Sequence, residues 1–321
     1  MNSSSDIVTF GEAMVMLVAE QAGDLADVPS FRKYIAGADS NVAIGLARLG
    51  YKVSWVSRLG KDSFGRHIIN QLEKEGVDCA HVVFDERRST GFQLKEKAVN
   101  GADSRVEYFR KNSAASCLSS ADFKRDVFLP ARHFHATGIP PALSPETREL
   151  SHHAISQMRL AGRTVSFDPN LRLSLWASRE QMIREINRLA FLANWVMPGL
   201  SEGQILTGRQ KPDEIAAFYL DQGVEEVVIK LGGDGCYYRT PTESGIVESF
   251  PVVNVTDTVG AGDGFAVGYL SARLDGCDVR KAVKRGNYIG AQVIQAVGDS
   301  EGLPARPAID AMEGVSPVQA A

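Results

Sequence analysis

Cysteine is scarce in this chain and scattered where it occurs. Cys79, Cys117, Cys236 and Cys277 are the four among 321 residues, and none forms a Cys-x-x-Cys pair. That argues against structural zinc and against a disulfide framework, and fits reduced thiols in the cytosol. No run of about 18 or more apolar residues occurs, so no membrane-spanning helix is expected. The opening Met1-Asn-Ser-Ser-Ser-Asp6 lacks the basic and apolar regions of a secretory leader, and a cytoplasmic location is the expectation. An excess of positive charge is also missing. Lys plus Arg number 35 against 39 Asp plus Glu, a net charge of −4, which gives no sign of a nucleic-acid surface. A Gly-Lys-Ser/Thr sequence is absent, so there is no Walker A loop. Repeats, low-complexity tracts and long linkers are absent as well. An anion bound by so mildly acidic a chain must be held by a few aimed basic residues and by backbone amides.

What is present is an alternation of apolar strand-like runs with amphipathic helical runs. The pattern predicts strands at 7–10, 53–56, 133–136, 164–167, 195–197 and 227–230. Helices are predicted over 41–49, 64–74, 146–160, 179–192 and 214–222, with two more starting near Asp263 and Val279. Such alternation argues for an α/β fold with a mostly parallel sheet covered on both faces. Two regions break the rhythm. Residues 14–22 with 31–35, and 90–97 with 105–111, read as extended pairs that fit no βαβ unit. The second pair surrounds Asn100-Gly101, a hairpin signal, though the connection exceeds a two-residue turn. These strands are expected to form a small lid over a site at the carboxyl ends of the main strands, where it would exclude water. The chain is read as a single domain over 1–321, with lid strands from about 13–35 and 89–112.

One segment carries most of the chemistry. Asp257-Thr-Val-Gly-Ala-Gly-Asp-Gly-Phe265 sets a glycine-rich turn against the start of an apolar helix. Free amides and the positive end of the helix dipole there attract an anion. A carboxylate at that junction, Asp263, makes little sense as a phosphate binder. It makes sense as a base that takes a proton from an attacking hydroxyl, which is the layout of a phosphoryl-transfer site. The segment is not a dinucleotide fingerprint, because Gly-x-Gly-x-x-Gly would require glycine at Phe265. A bland alternative is a glycine-rich helix entry with Asp263 facing the dipole.

This segment resembles the C-terminal signature of the ribokinase-like (PfkB) sugar kinases. Tyr34-Ile-Ala-Gly-Ala-Asp-Ser-Asn41, followed by Leu46-Ala-Arg-Leu-Gly50, is similar to that family's N-terminal signature, and Gly60-Lys-Asp-Ser-Phe-Gly65 to its next loop. The likeness spans roughly Asp6 to Gly302. It implies a ribokinase-like three-layer αβα fold with a small β-sheet lid, and ATP and Mg2+ as cofactors, with K+ as a candidate monovalent cation. By the same resemblance Asp263 is the base, and the amides of Gly260, Ala261, Gly262 and Asp263 form the anion hole. Lys230, Gly232, Gly235 and Asn287 would bind ATP. Glu202 would organise magnesium through water. The family's Asn-x-x-Glu motif reads Gly199-x-x-Glu202 here, a departure on the magnesium side.

The resemblance is strongest to the kinases of 2-keto sugar acids. It implies a sugar site of Gly37, Asn41, Tyr108, Arg110, Arg172 and Asp299 beside Asp263. Arginine suits a carboxylate through two parallel hydrogen bonds, and one from the lid with one from the core would clamp an acid. The alternative fate of both is a solvated surface charge. Thr90-Gly-Phe-Gln93 places Gln93 where 2-keto-3-deoxygluconate kinases often carry tyrosine. An amide can donate to and accept from the extra C3 hydroxyl of 2-ketogluconate, so 2-ketogluconate is the favoured substrate. The alternatives are 2-keto-3-deoxygluconate, a neutral sugar or nucleoside, and a catalytically silent sensor. The expected partners are therefore a sugar acid and ATP, with a homodimer through the lid. His133 and His135 alternate on one strand, but hydrogen bonding in the core is the better reading than a metal site.

Overall fold

A computed structural model describes residues 5–98 and 105–314. The Asn100-Gly101 turn lies outside them, as do residues 315–321 of the 314–321 ending expected to fray. The strands are β1 (Ile7–Phe10), β2 (Met14–Ala19), β3 (Phe31–Ala36), β4 (Val53–Gly60), β5 (Val82–Asp85), β6 (Phe92–Lys95) and β7 (Val106–Phe109). They continue with β8 (His133–Thr137), β9 (Thr164–Asp168), β10 (Trp195–Val196), β11 (Glu226–Lys230), β12 (Cys236–Arg239) and β13 (Ser244–Val247). The longer helices are α1 (Ala38–Arg48), α2 (Ser63–Lys74), α3 (Pro145–Leu160), α4 (Arg179–Ala190) and α5 (Leu200–Thr207). They are followed by α6 (Pro212–Leu220), α7 (Ala261–Leu274), α8 (Val279–Val293) and α9 (Arg306–Glu313).

A nine-stranded sheet runs β13-β12-β11-β10-β9-β8-β1-β4-β5. From β11 to β5 neighbours pair in parallel, and β12 and β13 add an antiparallel hairpin at one end. Its inner strands β1, β8, β9, β10 and β11 are buried on both faces, as a sheet covered on both sides requires. On β1, Ile7 joins one core cluster with Trp55, Leu46 and Tyr269, while Val8 and Phe10 join the other with Phe134, Phe167 and Ile186. Helices α7 and α8 pack closely because Gly268 admits the backbone of Arg285. A Cβ at Gly268 would stand 2.5 Å from the Arg285 carbonyl oxygen.

A second sheet runs β3-β2-β6-β7. β2 pairs antiparallel with β3 and parallel with β6, and β6 pairs antiparallel with β7. This is the extended pair of regions read from the sequence, joined into one mixed sheet. The sequence pattern passed over β5, β12, β13, α5 and α9. His133 and His135 lie in the main sheet, both sharing the Ser166 hydroxyl, with His133 stacked on Trp195. Burial pushes both imidazoles down, so they stay neutral.

Candidate active site

β1 sits where the main sheet reverses its order of growth, with β4 on one side and β8 on the other. At such a switch point the loops leaving the strands part and open a crevice. A cavity of about 550 Å³ lies there. Glu12 enters it from the loop after β1, Ile139 from the segment after β8, Asp168 from the end of β9 and Lys230 from the end of β11. The lid contributes Gln93, Lys95, Tyr108 and Arg110, and the start of α7 contributes Gly260, Gly262 and Asp263.

The loop into α7 folds as its glycines demand. Gly260 caps the helix in the left-handed region at φ 85. A Cβ there would lie 2.7 Å from the Asp299 carbonyl oxygen, so strain and collision both select glycine. The turn sets the start of a 14-residue helix, with its first-turn amides, against the cavity that Gly260, Gly262 and Asp263 line. Asp263 sits in that first turn and accepts a hydrogen bond from Asn41 Nδ2 at 2.8 Å. Asn41 is held on α1, whose start at Gly37 lies against the Glu12 carbonyl.

Charges in the cavity are paired with few exceptions. Lys230 holds Asp168 at 2.7 Å. Arg110, nine-tenths buried, is paired with the buried Glu12, and Ser113 also donates to that carboxylate. Lys95 is paired with Asp257 and stands 4.0 Å from Asp299. Asp263 has Asn41 but no ion-pair partner among the described residues. Burial, with Asp168 and Asp299 nearby, pushes Asp263 up to about 7 against the pull of Asn41 and Lys230. Burial likewise pushes Asp299 up to about 6, with Lys95 opposing. Asp39, at the start of α1, is pushed well up by burial despite a bond from Thr137. A carboxyl group titrating near neutral pH beside a cluster of helix amides can accept a proton from a hydroxyl and then remain neutral.

The expected sugar-site residues Gly37, Asn41, Gln93, Tyr108, Arg110, Arg172 and Asp299 all line this cavity with Asp263. Their states differ. Gln93 is buried, Tyr108 is about half exposed, and Arg172 is exposed with Nη1 donating to the Leu171 carbonyl at 2.9 Å. Arg172 has no carboxylate partner among the described residues. Arg110 differs from the picture of an open arginine, because Glu12 already neutralises it.

The expected nucleotide residues do not all gather here. Lys230 lines the cavity, and a Cβ at Gly262 would stand 3.4 Å from its Nζ, which puts the ammonium beside the helix amides. Gly232 and Gly235 lie just beyond, in the turn between β11 and β12. Asn287 does not line the cavity. Its Nδ2 donates to the carbonyls of Val247 and Glu248, and its Oδ1 accepts from the Cys236 thiol. The side chain fixes the β12–β13 hairpin to α8 and has little hydrogen-bonding capacity left for a nucleotide.

Glu202 reaches the same cavity from α5. Its two oxygens accept from the amides of Leu171 (2.7 Å) and Gly199 (2.8 Å). The departure at Gly199 therefore still orients Glu202, through the backbone. No group of three or more His, Cys, Asp or Glu side chains among the described residues can enclose a metal. Asp168 and Glu202 do fit magnesium as it accompanies nucleotides, with most oxygens drawn from water and phosphate.

Glu12, Lys95 and Asp168 line this site and were not singled out from the sequence. For Glu12 and Asp168 a signal existed, since each follows or ends a predicted parallel strand, where ligands bind.

A model of the pfkB family carbohydrate kinases matches residues 4–306. The 2-dehydro-3-deoxygluconokinase of Bacillus subtilis (strain 168) is 51% identical over 302 residues, covering 94% of this chain and 93% of that protein. The crystal structure of a PfkB protein from Polaromonas sp. JS666 superposes with a TM-score of 0.89 at 50% identity, over 96% of this chain and 100% of that one. The fructokinase of Vibrio cholerae O395, in its fructose, ADP and calcium ion bound form, superposes with a TM-score of 0.83 at 30% identity, over 96% and 99%.

Proposed function

The chain belongs to the pfkB family of carbohydrate kinases, and within that family we propose that it transfers the γ-phosphoryl group of ATP to the terminal hydroxyl of a 2-keto sugar acid. Membership makes it a phosphotransferase acting on a sugar hydroxyl, with ATP as donor. The observation that carries the finer reading is the shared cavity of Asp263 and two arginines. A carboxyl group with a near-neutral proton affinity sits at the helix amides, and Arg110 and Arg172 line the same space.

In this reading the sugar's terminal oxygen attacks the γ-phosphorus in line, and its proton passes to an Asp263 carboxylate oxygen. The bond from the γ-phosphorus to the bridging oxygen breaks and ADP leaves with that electron pair. The amides of Gly260 to Asp263 and the Lys230 ammonium take the charge on the transferring oxygens. Asp168 and Glu202 would hold magnesium mainly through water, and bound there it would neutralise charge on the phosphates. Asn41 orients Asp263, and Arg172 binds the substrate carboxylate, with the Glu12-paired Arg110 lining the same space. A cytoplasmic location belongs to the same proposal. Phe109, exposed on the β7 edge of the lid, is assigned to contact with a second copy of the chain.

2-Dehydro-3-deoxygluconate is the acid we put first, because the half-identical Bacillus relative carries that kinase name. A second reading, 2-ketogluconate, rests on Gln93. Its amide is buried on the cavity side of β6 and can bond to a C3 hydroxyl that the deoxy acid lacks. A coupled ADP-release assay across both acids, gluconate, fructose and ribose decides. The highest kcat/KM is expected for 2-dehydro-3-deoxygluconate. A higher value for 2-ketogluconate moves the assignment to the second reading, and a higher value for a neutral sugar removes both.

A further inference from the structure

We propose that Lys95 is a positioning residue for phosphoryl transfer, a tethered cation that ties the lid to both loops framing the amides at the start of α7. The inference rests on the phosphoryl-transfer reading of Asp263. Lys95 is the last residue of β6, an interior strand of the lid, paired on one side to Val18 and on the other to Val106. Its base is therefore rigid. Its side chain leaves the lid and is almost wholly buried against the main body, where it is paired with Asp257 and lies 4.0 Å from Asp299.

Those two carboxylates flank the phosphate loop. Asp257 begins it, and its second oxygen accepts from the Val259 amide at 3.1 Å, shaping the turn into Gly260. Asp299 is on the opposite side, with its backbone carbonyl against Gly260. One ammonium thus stands between the two walls that flank the left-handed Gly260, paired with Asp257 and 4.0 Å from Asp299. Two carboxylates this deeply buried need a cation, and here the chain supplies its own.

Gln93 lies two residues before Lys95 and, by the period of a strand, on the same face. Both are buried, whereas Phe92 and Leu94 between and beside them are half-buried. The two side chains are about 6.6 Å apart along the strand. A sugar that engages Gln93 therefore fixes the strand from which Lys95 holds the loop. Occupancy of the sugar site and the geometry of the anion hole become one mechanical unit.

The experiment compares kcat, the KM for the sugar and the melting temperature of wild type, Lys95→Met, Asp257→Asn and the double variant. The acceptor is whichever sugar the wild type turns over best, so an error in the assigned acid leaves this test intact. Each single variant is expected to lose stability and about 10²-fold in kcat, the effect of a small misplacement of reacting groups. The double variant removes both charges, so it regains melting temperature, while its kcat stays low. Lys95→Ala is expected to recover part of its kcat with ammonium or methylammonium chloride and none with tetramethylammonium. A double variant whose kcat returns together with its stability reduces Lys95 to a structural role and overturns the proposal. So does a folded Lys95→Met enzyme with wild-type kcat, or a Lys95→Ala enzyme indifferent to ammonium. A wild type that turns over no sugar overturns both this inference and the reading it rests on.

Discussion

Burial gives Asp263 the proton affinity that a base for a sugar hydroxyl needs near neutral pH. Its acid form is favoured up to about pH 7, with burial the leading cause. The proposed base works only when ionised, so kcat/KM for the sugar should rise with pH through about 7 and level off above it. A profile flat from pH 5 to 8 contradicts the assignment. Asp263→Asn should lower kcat by roughly 10²–10⁴-fold while nucleotide affinity, read by calorimetry, stays close to wild type. The same substitution has a stability signature. The folded value lies above the ordinary 3.8, so the folded chain holds this proton more firmly than the unfolded one. The stability it contributes is complete below about pH 4 and is lost as pH rises through about 7. Asp263→Asn should therefore melt above wild type at pH 8, with the gap closing toward pH 4. An equal melting temperature at pH 8 would speak against a costly buried carboxylate.

At the scale of elements, the turn into α7 is where conformation and chemistry meet. Gly260→Ala must place a side chain at φ 85 and against the Asp299 carbonyl. A non-glycine residue held there costs about 1–3 kcal/mol, measurable by urea unfolding, and the displaced amides should depress kcat more than the KM for the sugar. Unchanged kcat would show that the amides at this turn do not face the transferring group. This turn was legible because glycine spacing and an apolar run sit side by side in the chain. Other elements were not. In α5, Gly203 interrupts the apolar pattern, yet the helix forms because that glycine lets Ile215 of α6 pack against it. Strands β12 and β13 are short and carry half-exposed residues at the sheet's end, so their alternation is weak. Their hairpin is secured by Asn287, a polar residue whose sequence context suggested ATP and whose hydrogen bonds go instead to Val247, Glu248 and Cys236.

For the whole molecule, the alternation of strands and helices carried the sheet's parallel core, and the two irregular extended pairs carried the lid. Charge pairing was not legible. Arg110 meets Glu12 across 98 residues and Lys95 meets Asp257 across 162, and no local pattern marks such partners. That pairing alters the proposed clamp, since Glu12 neutralises Arg110 and leaves Arg172 as the more available charge for an acid. Preference for an acid over a neutral sugar therefore rests on Arg172. The decisive measurement is kcat/KM for 2-dehydro-3-deoxygluconate and for fructose, in wild type and in Arg172→Ala. Loss of a hydrogen bond to a charged group is worth about 1.5–3 kcal/mol, so the acid should lose roughly 10–100-fold while any fructose turnover is nearly unchanged. An equal loss for both sugars, or no loss for the acid, would contradict a kinase built around a sugar acid.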